Sequence, residues 1–168
     1  MDWLLRTKSF LESCRAHVSE TSSSGSEVEA FLAQYLLVSL CAEMQEEMYR
    51  VVELRAKKSG DDELCSFALS SSRKILRSVK VSELAGFVGH FGVDRKRRFA
   101  ESLDERATLQ YNTAVDSRHS VAHKSGAQVT LSELAAIVSA ACVILDAARA
   151  ALIDTAGDPS AASAGDIQ

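Results

Sequence analysis

The chain has 168 residues, 46% hydrophobic and 25% charged, with a single proline, Pro159. That is enough apolar material for one buried core, and it excludes wholesale disorder. A net charge of -4 excludes a polycation, so any grip on nucleic acid must come from local clusters. Two such clusters exist, Arg73, Lys74, Arg77 and Lys80, and Arg95, Lys96, Arg97 and Arg98. Charge runs of this kind are more often solvated helix faces than binding surfaces.

Taken in chain order, the apolar spacing of Trp3, Leu4, Phe10, Leu11 and Cys14 predicts a first helix over 2–18. The polar run Ser19 to Gly25 is a connector. Ser26 and Glu29 have capping-box spacing and open a long helix that reaches Lys58. Its first half (Phe31, Leu32, Tyr35, Leu36, Leu37, Val38, Leu40) is apolar almost all round, the pattern of a central helix packed on several sides. Its second half runs from acid (Glu43, Glu46, Glu47) to base (Arg50, Arg55, Lys57, Lys58), an order that suits the helix dipole. Ser59-Gly60-Asp61-Asp62 breaks the helix and supplies a new N-cap. Helices are predicted over 63–78, near 82–90 and 94–103, and over 104–120. The Gly86, Gly89, Gly92 spacing is not a phosphate loop, since no Lys-Ser/Thr pair follows and no strand precedes. Thr130 and Glu133 make a second capping box for a last, Ala-rich helix over 131–154. A disordered tail is expected over 155–168. Phe31, Tyr35, Phe67, Phe87, Phe91 and Phe99 are read as core. The fold class is therefore all-α: a single domain over 1–154 with its core in 26–150, a bundle of long antiparallel helices with shorter ones beside them.

Cys14, Cys41, Cys65 and Cys142 form no Cys-x-x-Cys pair, which argues against a zinc site or a disulfide framework and fits a reducing compartment. The first residues lack the pattern of a signal peptide, and no run of about 18 uninterrupted apolar residues predicts a membrane span. The expectation is a cytoplasmic protein without a membrane partner.

The informative segment is Asp116-Ser117-Arg118-His119-Ser120-Val121-Ala122-His123-Lys124-Ser125-Gly126, where a helix gives way to a loop. His119 and His123 stand four apart and share a face if the helix continues that far. A zinc pair would need a third and fourth ligand, and the Glu of a His-Glu-x-x-His motif is replaced by Ser120. A purely structural reading makes Arg118 a cap or ion-pair partner and His123 a surface residue. His17 and His90 are read as ordinary surface or half-buried residues.

Arg118-x4-His123, with the polar His119 directly after the arginine, resembles the Arg-x4–6-His motif of the HEPN superfamily. The local pattern Arg-His-x-x-Ala-His-Lys-x-Gly is similar to the branch associated with RNA ligases and phosphatases. The order of helices over roughly 26–150 agrees with that resemblance. It implies a metal-independent endoribonuclease without cofactor, acting as a homodimer through the helices that flank 118–123, with two motifs facing one cleft. His123 would transfer protons, Arg118 would hold the phosphate as charge builds, and His119 would orient substrate or its partner residue. Arg73, Lys74, Arg77 and Lys124 are the candidates for binding RNA. Glu46 and Glu47 correspond to an acidic position that some relatives place near the motif, with a solvated acidic face as the alternative, and Tyr111 is a further supporting candidate. The expected products are a 2′,3′-cyclic phosphate and a 5′-hydroxyl. The resemblance also implies a setting in defence or toxin–antitoxin systems with an inhibitor or antitoxin protein as partner. Ser125 stands where nucleotide-silenced relatives carry tyrosine, which argues against that route of silencing. The alternative is a catalytically silent HEPN module that binds RNA or a protein.

Overall fold

The structure, a computed structural model, describes residues 2–121 and 129–154, with backbone only at 118–121. The described residues form an all-α bundle: α1 (Leu5–Glu20), α2 (Glu27–Ala56), α3 (Asp62–Ile75), α4 (Val81–Gly89), α5 (Val93–Glu101), α6 (Glu105–Val121) and α7 (Leu131–Ile153). The tail expected over 155–168 lies outside the described residues.

Local sequence explains most of the boundaries. Ser26 caps α2 by accepting from the Glu29 amide at 3.4 Å. The reciprocal half of the expected capping box is displaced by one residue. Glu29 Oε2 accepts from the Gly25 amide at 2.7 Å, because the Ser26 amide is already bonded to the Ser23 carbonyl. At α7 the box is complete, with Thr130 and Glu133 each satisfying the other's backbone amide. α2 ends in a 3-10 turn over Lys57–Ser59, and Gly60 leaves it with φ +70°, a conformation in which a side chain would be strained. Asp61 then accepts from the Leu64 amide and starts α3.

Two predicted boundaries move for reasons outside local sequence. α1 begins at Leu5 and not near residue 2, because Leu4 turns left-handed (φ 59°) and is fully buried. Trp3, also buried, donates from Nε1 to Asp146 Oδ1 of α7 at 2.6 Å and ties this segment down. α3 stops at Ile75 and not at 78. The Leu76 carbonyl accepts from Gln45 Nε2 (2.7 Å) and the Tyr49 hydroxyl (3.3 Å), and the Val79 carbonyl accepts from the Tyr111 hydroxyl (3.0 Å). The chain is therefore held extended between α2 and α6 where helix was predicted.

α2 and α7 form the centre. They run in the same direction: Glu43 and Cys142 lie close enough to interact, and Arg55 bonds the carbonyl of Leu152. α1 lies antiparallel to both, with Trp3 at Asp146 and Arg15 at the Leu131 carbonyl. α6 packs on α7, and α3, α4 and α5 flank the central pair. Twelve residues of α7, from Leu131 to Leu152, are buried. By length and composition alone α7 would be able to cross a membrane, but its apolar residues are those that fill this core.

The C-terminal end of α7 has no basic residue in its last turn. The cations come from elsewhere. Arg55 donates to the Leu152 carbonyl, Lys58 to Ile153 (2.9 Å) and Arg95 to Ala151 (2.7 Å). Orphan carbonyls and the negative pole of the helix are satisfied together.

The expectation that the first half of α2 is covered on several sides is corrected. Phe31 is 67% exposed and Tyr35 62%, and on α3 Phe67 is 68% exposed. Of the aromatics read as core, Phe87 and Phe99 are buried and Phe91 packs at the core edge.

Candidate functional site

α6 carries the start of the motif: the backbone positions of Arg118 and His119 lie in the last described turn of the helix. His123 and Lys124 lie outside the described residues. Tyr111, Ala114 and Val115 form the buried row of α6, and position 118 continues that row by helical register. Position 119 continues the neighbouring row of Asn112 and Asp116.

That second row meets the extended segment between α3 and α4. Asn112 Oδ1 accepts from the Val81 amide at 3.1 Å, and Asp116 pairs with Lys80. Tyr111, wholly buried, bonds the Val79 carbonyl from the first row. Two consecutive turns of α6 are thus fixed to residues 79–81 before Arg118 is reached. Tyr111 holds this platform, and burial keeps its ring from stacking on a base.

Arg73, Lys74 and Arg77 stand exposed at the end of α3 and just beyond it. The Arg73 guanidinium lies 5.8 Å over the Tyr49 ring, and Arg77 Nε donates to the Lys74 carbonyl at 3.2 Å. Arg77 is three residues from Lys80, which an extended chain spans in at most about 10 Å. The basic cluster is therefore linked to α6 through a short, well-bonded strap. The other cluster is differently employed. Arg95 bonds α7, Arg97 pairs with Asp94 (2.9 Å), and the Lys96 stem lies 3.3 Å from where a side chain at Gly89 would begin.

Glu46 and Glu47 face a different place, an open cleft of about 440 Å³ between α1, α2 and α3. Glu46 is exposed, whereas Glu47 is buried and pairs with Arg50 at 3.2 Å. Arg73 lines the same cleft; no described residue of α6 does. The structure thus brings Arg73 beside Glu46 and Glu47 and links Arg77 to α6, and no described residue of the motif helix shares the cleft that the two glutamates line.

The charged group that sequence reasoning passed over is Glu43. It sits on the inward row of α2 with Leu36, Leu40 and Glu47, so its spacing alone marks it as an acid facing the core. Its carboxylate crosses to α1 and accepts from the Arg6 amide (3.1 Å), the Thr7 amide (2.8 Å) and the Thr7 hydroxyl (2.6 Å), with Arg6 Nε 3.5 Å away. Burial pushes this acid up, but the Thr7 hydroxyl, the two amides and the Arg6 charge outweigh it and hold Glu43 below its ordinary value. Burial also raises the thiols of Cys14 and Cys142, which disfavours thiolate chemistry at both. Among the described residues no three His, Cys, Asp or Glu side chains are grouped to hold a metal.

Comparison with models of protein families, with curated proteins and with solved structures gives no match to this chain.

Proposed function

We propose that the chain is a metal-independent endoribonuclease of the HEPN type, in which Arg118 and His123 act on the scissile phosphate and His119 positions substrate. The observation that supports this reading most directly is the place of the motif: Arg118 and His119 stand on the last described turn of a helix anchored to its neighbours by Tyr111, Asn112 and Asp116. Catalytic groups need such a rigid mounting, because small displacements cost large factors in rate. Arg73, Lys74 and Arg77, joined to this helix through residues 78–80, supply cations for the flanking backbone of a single strand.

In the proposed step the ribose 2′-oxygen attacks the adjacent phosphorus as its proton leaves to a base, and the bond from phosphorus to the 5′-oxygen breaks. The 5′-oxygen takes up a proton, leaving a 2′,3′-cyclic phosphate and a 5′-hydroxyl. An imidazole with a pKa of about 6.5 serves either transfer near neutrality. The Arg118 fork would bond two non-bridging oxygens as their charge grows. A homodimer would place two motifs at one cleft, through the helices that flank 118–123.

The test is incubation of RNA in EDTA with wild type, Arg118→Ala and His123→Ala. Cleavage by wild type with cyclic-phosphate ends, and a loss of at least about 100-fold in both variants, is the expected result. Equal cleavage by all three would refute the assignment. RNA bound but left intact by wild type would instead favour a silent binding module.

A further inference from the structure

α3 carries one aromatic ring that the fold leaves open. Phe67 is 68% exposed, and no described ring packs against it. Ser70, Ser71 and Lys74 follow at three, four and seven positions, so they share its face over the next two turns. Arg77 lies just past the helix end and donates to the Lys74 carbonyl, which holds it at the end of this row. Among the described residues neither Lys74 nor Arg77 has a carboxylate partner, whereas Lys57, Lys80 and Arg97 each pair with one.

We propose that this row is a subsite for single-stranded RNA, in which an unpaired base stacks on Phe67 and the adjoining phosphates meet Lys74 and Arg77. Cations alone hold any polyanion. An open ring beside them adds a demand for a base whose face is free, because a duplex keeps its bases stacked on one another. Lys74 stands about 10 Å further along the helix axis than Phe67, so a strand with a base on the ring leads its next phosphates to both cations. Ser70, exposed between them, offers a hydroxyl to the backbone, a common phosphate contact. From Arg77 the strand continues over residues 78–80 toward α6, where Lys80 pairs with Asp116. The stacked base then lies a few nucleotides from the bond on which Arg118 and His123 are proposed to act.

The surroundings favour this ligand over others. Asp61, Asp62 and Glu63 crowd the start of α3 and repel a phosphate backbone there, so the strand meets the helix from its far end. Leu64 and Ile75 are half exposed on the neighbouring row, but Ser71 interrupts them, and no continuous apolar surface is left for a membrane or a partner helix. Phe31 and Tyr35, also exposed, sit where α2 carries no charged residue from Ala30 to Ala42. Tyr49, under the Arg73 guanidinium, is buried and offers no face to a base.

The proposal rests on the reading of the chain as a nuclease that grips RNA, and a binding measurement separates the two. The probe is a labelled, unstructured 2′-O-methyl strand of about a dozen nucleotides, which lacks the hydroxyl that cleavage needs. Phe67→Ala, at an exposed site, should keep the helical circular dichroism and weaken binding about 10-fold or more by fluorescence anisotropy. Phe67→Trp should bind as wild type does and lose indole emission on binding, since Trp3 is buried and stays silent. Lys74→Ala should lower the salt dependence by about one counterion, whereas Phe67→Ala should leave it unchanged. The proposal is overturned if Phe67→Ala binds as tightly as wild type, or if it loses as much on an abasic strand. It is overturned as well if wild type does not bind the strand, which leaves the patch to an acidic protein segment. Binding that depends on Phe67, with cleavable RNA left intact, ends the nuclease reading alone. Cleavage by wild type, with binding unchanged in Phe67→Ala, ends this proposal alone.

Discussion

Glu43→Gln tests the way the bundle holds its first helix. α1 has no side-chain cap of its own, since Leu4 offers none, and its early amides at Arg6 and Thr7 are satisfied by a carboxylate 36 or 37 residues away. Glutamine keeps the shape but loses the charge, and its amide nitrogen faces donors where an oxygen stood. Each charge-assisted bond contributes about 1.5–3 kcal/mol and a carboxylate at a helix start up to about 2, with overlap between the two, so a net loss of about 2–3 kcal/mol is expected. For a chain of this size that lowers the midpoint of thermal unfolding by roughly 5–10 °C. The pH dependence has a definite sign. Folding holds Glu43 below its ordinary value of about 4.5, so in that window the unfolded chain binds more protons and stability rises with pH. The advantage of wild type over the variant is therefore complete above about pH 4.5 and shrinks as acid carries the folded carboxyl through its own lower value. Denaturant titrations of both proteins from neutral to acid pH measure this gap. A gap under about 0.5 kcal/mol at neutrality, or one unchanged on acidification, would refute the argument.

Further outcomes follow from the two basic clusters and from Tyr111. Arg95→Ala should cost about 1 kcal/mol of stability through the end of α7 and leave RNA affinity unchanged. Arg77→Ala should leave stability unchanged and lower the salt dependence of RNA binding by about one counterion, as read from titrations at several salt concentrations. Tyr111→Phe removes the donor to the Val79 carbonyl and should cost about 1–2 kcal/mol, with faster hydrogen exchange at the Val81 amide.

Where neighbours in the chain decide, the sequence is a sufficient guide. The Thr130 and Glu133 box, the Asp61 cap and the break at Gly60 all stand where residue chemistry puts them. Where distant partners decide, it is not. Nothing near residues 76–80 announces that Gln45, Tyr49 and Tyr111 will take the carbonyls a helix would have used. Composition likewise cannot say which side of α2 finds a neighbour, and so Phe31 and Tyr35 look like core in the chain and stand open in the fold. The candidate site divides in the same way. The helical course of α6 through Arg118 and His119 was legible, because apolar spacing continues into the motif. The work of Asp116, Asn112 and Glu43 was hidden, because each acts on a different element.

The helix that fills the centre of the bundle has its C-terminal end satisfied by groups from α2, the turn after it and α5, far earlier in the chain. Without residues 151–153 in place, Arg55, Lys58 and Arg95 have no helix pole to meet. Docking of α7 brings its negative pole to all three at once. Losing α7 thus also costs α2 and α5 the partners of their cations, which ties the stability of these elements together in one cooperative unit.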